Sequence, residues 1–235
     1  MALEQYQPRG FNFLPPVVKN LLILNGLFFL ATYAAGIAFQ IDLNKYLSLH
    51  YFKSPDFGAW QYITYMFMHD TGGLGHIFFN MFALWMFGNA LENLWGAKRF
   101  LIFYLFTGIG AAFIQTCVNY YEIASIENTI ATFYGDPPQV LLNVLQSRLN
   151  GITLGASGAV FGILVAFGMT FPDTLLYLYF LVPVKAKWAV IGYASLELIF
   201  GISGVQSGVA HFAHLGGALF GFLLIMYWRK HPPKY

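Results

Sequence analysis

Residues Gly151–Gly168 read GITLGASGAVFGILVAFG. The stretch passes from polar, glycine-rich chain into a continuous apolar helix, and Ser157 sits at the changeover between Ala156 and Gly158. From Ser157 to Pro172 is 15 residues, or about 22 Å of helix. The hydrocarbon layer of a bilayer is about 30 Å thick. A helix this short that reaches one surface at Pro172 begins several ångströms below the other. Ile152–Ala156 is then non-helical backbone at membrane depth, which is tolerated only inside protein or beside a water-filled cavity. Ser157 is therefore expected to line a wet pocket, at a helix N-terminus whose free N–H groups favour negative charge. The competing use of such a serine is packing, since Ser and Gly are ordinary interface residues of membrane helices. Ala159 also breaks the GxSxG elbow of soluble hydrolases.

The rest of the chain supports the membrane reading. Of 235 residues, 58% are hydrophobic and 9% charged, against about 25% charged in a soluble domain. A net charge of +2 without a basic run gives no reason to expect nucleic acid. The single cysteine, Cys117, excludes an internal disulfide and a cysteine-based metal site. No cofactor or metal is expected. MALEQYQPRGFNFLPP at the start lacks the apolar core of a signal peptide.

Six apolar segments can be read as spans of an all-α polytopic protein: Leu21–Phe39, His76–Trp95, Phe100–Tyr120, Ser157–Phe171, Trp188–Phe200 and His211–Trp228. They define a membrane domain over 17–229, between a short N-terminal segment, 1–16, and a tail, 230–235. With the N-terminus in the cytoplasm, nine cations fall inside (Arg9, Lys19, Lys98, Arg99, Lys185, Lys187, Arg229, Lys230, Lys234) and three outside (Lys45, Lys53, Arg148). That bias orients both termini to the cytoplasm. The aromatic-rich loop 40–75 suits the headgroup region. GDPPQ marks a turn in the loop Tyr121–Gly151, followed by a short helix over Gln139–Leu149. FPDTLLYLYFLVPVK reads as an interfacial turn between the fourth and fifth segments. Neither terminus is long enough for a further soluble domain, so recognition is expected to come from the membrane part.

Ionisable groups within a membrane are costly and mark functional candidates. His214 lies 15 residues above Arg229, which puts it level with Ser157. His211 is one turn higher and shares roughly the same face. Gly217 and Gly221 form a GxxxG face that can meet Gly158 and Gly162, bringing the sixth segment against the fourth. In the second segment His76 and Asn80 are i, i+4 and point the same way. Asn80 lies 15 residues above Trp95, again at the level of Ser157. Three segments running in one direction thus place a nucleophile, a base and two hydrogen-bond donors at a single depth, which is an acyl-transfer constellation.

HIFFN, GASGAVFG and AHLGGALFG, in that order, resemble the motifs of the rhomboid intramembrane serine proteases. The resemblance covers about residues 17–228. It implies a six-helix bundle with a Ser–His dyad and no third acid, cutting single-pass transmembrane proteins near the outer end of their membrane helix. Carried over, Ser157 is the nucleophile and His214 the general base. His76, Asn80 and the Ser157 N–H form the oxyanion hole, and Gly155, Gly158, Phe161, Gly217 and Gly221 support them. It also implies that the fifth segment and its outer cap, Ile202–Ala210, move to admit substrate between the second and fifth segments. Glu92 is read as structural, and His69 as supporting. Glu197 is read as a capping or gate contact near the outer surface rather than a catalytic acid. Two departures stand out. Gln61 follows Trp60 where the family often has a loop-fixing arginine, and Phe161 replaces a common tyrosine beside the catalytic histidine. A bacterial plasma membrane is the expected location. The alternatives are a non-catalytic rhomboid-like binder of transmembrane helices and a small transporter or channel. The first typically lacks the serine or the histidine; the second needs polar residues spread along a path rather than gathered at one level.

Overall fold

A computed structural model describes residues 11–178, 181–204 and 209–231. Arg9, Lys234, residues 1–10 of the expected N-terminal segment, residues 205–208 of the expected outer cap and the tail from 232 lie outside the described residues.

Helix α1 (Pro16–Phe39) begins with proline at a position where its missing N–H costs nothing. Val18, Leu21, Asn25, Phe29 and Thr32 form its buried stripe at helical spacing. Glu92, the expected structural acid, caps this helix from across the chain. Its Oε1 accepts the Val17 N–H at 2.9 Å and its Oε2 the Val18 N–H at 2.7 Å.

The expected first outer loop folds into α2 (Asn44–Leu47), β1 (Leu49–His50) and α3 (Gln61–Thr64), followed by a tight turn over Tyr65–Phe67. Gln61 is fully buried. Its amide donates to the carbonyls of Asp56 (2.8 Å) and Tyr46 (3.2 Å), and its Oε1 accepts the His50 N–H (3.1 Å). The neutral amide thus ties the loop where the family pattern suggests an arginine.

The second segment is α4 (Gly75–Ala83) and α5 (Asn89–Trp95), joined through one π turn at Leu84–Gly88. Helix α6 (Ala97–Ala131) has 35 residues, about 52 Å. It runs a further eleven residues past the expected end at Tyr120 because YEIASIENTIA is polar yet compatible with helix. Ion pairs Lys53–Glu127 (3.0 Å) and Arg148–Glu122 (3.0 Å) brace the extension against the first loop and α7 (Gln139–Leu149).

Strand β2 (Ile152–Thr153) pairs antiparallel with β1 and leads into α8 (Ser157–Thr170). The stretch expected as an interfacial turn contains an antiparallel pair, β3 (Leu175–Leu178) with β4 (Val182–Lys185), since its run of branched and aromatic residues suits paired strands. The fold is therefore mostly helical rather than strictly all-α. Helices α9 (Ala186–Ser203) and α10 (His211–Lys230) complete the described chain.

Three helices, α1, α6 and α10, are long and apolar enough to cross a membrane, and α8 is a shorter apolar helix. The second segment is divided by its π turn, and α9 carries Lys187 and Glu197 within its 18 residues. Helix α8 is apolar all round and lies in the core. A Cβ on Gly217 would fall 1.8 Å from the Gly158 carbonyl oxygen, and one on Gly221 2.9 Å from the Gly162 Cα. The two glycine pairs thus set α8 and α10 in backbone contact. At the far end of α8, Arg229 donates to the Met169 carbonyl at 2.7 Å, and the Arg99 guanidinium lies 4.1 Å over the Trp228 ring. The cations expected to face the cytoplasm thus include a direct cap on the last turn of α8.

Candidate active site

The chain entering α8 is held by other parts of the protein, as the expected depth of this non-helical backbone requires. Thr153 and Ile152 pair with Leu49 and His50, and the Gly155 N–H donates to the Tyr65 carbonyl at 2.9 Å. Gly155 has φ +121°, which excludes most side chains. A Cβ there would lie 3.0 Å from His76 Nε2 and 3.5 Å from Ser157 Oγ. The glycine therefore keeps open the space that these two atoms border.

Ser157 occupies the first position of α8. Its Oγ is 2.7 Å from Nε2 of His214, on the first turn of α10. Of the two candidate histidines, His214 is the one on the serine. Phe161, one turn along α8, stacks on the His214 ring with centroids 4.4 Å apart and planes 6° from parallel. Phe161 also meets the ring of Tyr193 of α9, with centroids 4.8 Å apart.

His214 Nδ1 is also engaged. It donates at 2.9 Å to Oε2 of Glu197, and His211 Nδ1 donates to the same oxygen at 2.7 Å. A ring with Nδ1 protonated leaves Nε2 free to accept the serine proton. Glu197 and both histidines are buried. The expected gate or capping role for Glu197 is thus not what its contacts describe. Its sequence signal was a lone acid in an apolar segment. The contact itself depends on α9 crossing to α10, which spacing along the chain does not disclose. Glu197, His211 and His214 have donor atoms within 4.8 Å of one another, a set able to hold a metal ion, but these atoms already hydrogen-bond each other.

On α4, the Asp70 N–H lies 3.3 Å from His76 Nδ1, which favours the proton on Nε2, the atom facing the Gly155 space. Asn80 is buried one turn below, and its amide donates to the His76 carbonyl at 2.8 Å. One amide N–H is spent on its own helix and the second remains available. His69 is fully buried and packs on His76, with ring centroids 5.1 Å apart. Burial, and secondarily the His76 ring, pushes its pKa down to about 4.

A polar cavity of about 420 Å³ lies beside His211, between α6, α7, β2 and the facing ends of α9 and α10. Gln115, Glu122, Arg148, Thr153 and His211 are among its lining residues; Ser157 and His214 are not.

Comparison with known proteins leads to the same family. The rhomboid domain family model matches residues 56–231. Rhomboid protease AarA of Providencia stuartii is 31% identical over 186 residues, covering 74% of this chain and 58% of the relative. RHOMBOID-like protein 12, mitochondrial, of Arabidopsis thaliana is 31% identical over 202 residues, covering 86% and 55%. Presenilin-associated rhomboid-like protein A, mitochondrial, of Danio rerio is 33% identical over 167 residues, covering 67% and 36%. The chain spans between about a third and three fifths of these relatives' lengths. The matched region takes in the glycine-locked α8–α10 contact and the Ser157–His214 pair, so this integral membrane protein belongs to the rhomboid family.

Proposed function

We propose that the chain is an intramembrane serine endopeptidase that cleaves single-pass transmembrane proteins near the outer end of their membrane helix. The observation that carries this reading is the 2.7 Å contact of Ser157 Oγ with His214 Nε2, on helices held in backbone contact. Membership of the rhomboid family, with a protease among its similar relatives, supports it. In this reading the chain crosses a bacterial plasma membrane six times, with both termini cytoplasmic.

The substrate helix enters between α4 and α9. Its outer end unwinds, because a helical peptide bond is shielded by its own hydrogen bonds; small or helix-breaking residues are favoured at the cut. Ser157 Oγ attacks the carbonyl carbon while His214 Nε2 takes the hydroxyl proton. Negative charge on the carbonyl oxygen is met by His76 Nε2–H, the second Asn80 amide N–H and the Ser157 backbone N–H. His214 then gives its proton to the departing amine. Water attacks the acyl-enzyme, with His214 again accepting a proton, and Ser157 is regenerated. In this reading the polar cavity beside His211 supplies that water.

The test is reconstitution in liposomes with a single-pass reporter protein. The wild type cuts the reporter near its outer membrane boundary, and Ser157→Ala and His214→Ala reduce cleavage to background. Stable capture of the reporter without cleavage by the wild type supports the non-catalytic binder instead. Undiminished cleavage by Ser157→Ala contradicts the proposal.

A further inference from the structure

We propose that Glu197 is a positioning residue for His214, so that the reaction runs through a Ser157–His214–Glu197 relay rather than an unaided dyad. The inference rests on the protease reading above and departs from what the family resemblance implies. Glu197 Oε2 accepts the Nδ1–H of His214 at 2.9 Å, on the ring edge opposite Ser157. That bond selects the tautomer with a bare Nε2 and fixes the ring's rotation about its stem. Phe161 fixes its tilt, stacked within 6° of parallel. His214 is thus constrained along Nδ1, along Nε2 and over one face.

His211 completes the arrangement. Its Nδ1–H reaches the same carboxylate oxygen at 2.7 Å, and its ring stands at 88° to that of His214. One oxygen held by two ring N–H donors has little freedom to turn. The groups facing the carboxylate are His211 and His214 from α10 and Tyr193 from one turn earlier on α9. Ser157 and Phe161 of α8 lie beyond the His214 ring, and His76 of α4 is near enough to interact with it electrostatically. A buried carboxylate without a cation is costly. When His214 takes the serine proton, that charge finds its partner in the imidazolium 2.9 Å away, so the interaction strengthens as the reaction proceeds. The proton moves from Ser157 Oγ to His214 Nε2 and on to the leaving amine; Glu197 takes none. Among the described residues of α9 only Ala186 and Glu197 are buried, so an otherwise exposed helix sends one acid inward, to the base.

The experiment uses the full chain in detergent micelles, with Glu197→Gln, Glu197→Ala and Glu197→Asp. Three quantities are read for each: kcat and KM on a transmembrane peptide, the rate of fluorophosphonate labelling, and thermal stability. Gln and Ala are expected to lower kcat and the labelling rate by about 10²–10⁴-fold, with KM within about threefold. Asp, which keeps the charge, recovers activity relative to Gln. A purely structural role would lower the melting temperature without this selective loss in kcat and labelling. Wild-type kcat in folded Gln and Ala variants overturns the relay and leaves the dyad standing. A wild type that neither labels nor cleaves overturns the protease reading itself. Should the variants not fold, ¹⁵N-histidine spectra of the wild type decide. The His214 Nδ1–H tautomer is expected, and the Nε2–H tautomer overturns the proposal.

Discussion

Gly155 shows how much chemistry a missing side chain can carry. Its φ of +121° and the 3.0 Å separation between a would-be Cβ and His76 Nε2 make it the floor of the proposed oxyanion site. Gly155→Ala is therefore expected to reduce turnover by about 100-fold or more, with α8 still folded by circular dichroism. His76→Ala removes one donor to the oxyanion and should lower kcat by about 10²–10³-fold, with KM little changed; a change confined to KM would assign His76 to binding. At this scale the sequence was informative wherever one spacing rule sufficed. Counting from helix ends puts Ser157, His214 and Asn80 at one expected depth, and Ser157 and His214 do meet. Asp70, which sets the His76 tautomer, and Glu197, which reaches His211 and His214, act through contacts between separate elements. No count along one helix exposes them.

Helices α8 and α10 touch through glycine faces, and the distance between Ser157 and His214 depends on that contact. Gly217→Val would drive a side chain into the Gly158 carbonyl, where even a Cβ falls at 1.8 Å. It should separate the helices, abolish labelling at Ser157 and lower the melting temperature. The glycine spacing was legible because GxxxG has few other uses in an apolar helix. Helix α1 is anchored differently, by two backbone N–H groups on the buried Glu92. Glu92→Ala should cost about 2 kcal/mol by the loss of a charged cap, read as a lowered unfolding midpoint, while residual folded protein still labels. The extension of α6 and the β3–β4 pair were hidden for opposite reasons. A polar stretch can be helix or loop, and a short run of branched and aromatic residues can be strand or membrane surface.

Over the whole molecule, two consequences of charge can be measured. His69 has its pKa near 4 when folded and about 6.5 when the chain is unfolded. The unfolded state therefore binds the extra proton between these values, and stability falls as pH drops from 6.5 to 4. His69 contributes up to about 3 kcal/mol to that fall. Thermal unfolding from pH 7 to 4 should show it, and His69→Leu should flatten that part of the slope; an unchanged slope would remove His69 from the account. The second consequence is orientation. Arg99 and Arg229 gather at the α8 C-terminal end, and Lys53 and Arg148 brace the opposite end. A fluorescent protein fused after Tyr235 should fluoresce in the cytoplasm, whereas a periplasmic alkaline phosphatase fusion there should be inactive; the reverse pair of results would invert the topology.

The proton-transfer geometry at Ser157 is tested most directly by fluorophosphonate labelling of the purified chain, with the adduct located by mass spectrometry. A single adduct on Ser157, lost in His214→Ala while the protein remains folded, is the predicted result. A folded wild type that gives no adduct on Ser157, or labels equally well without His214, would contradict it.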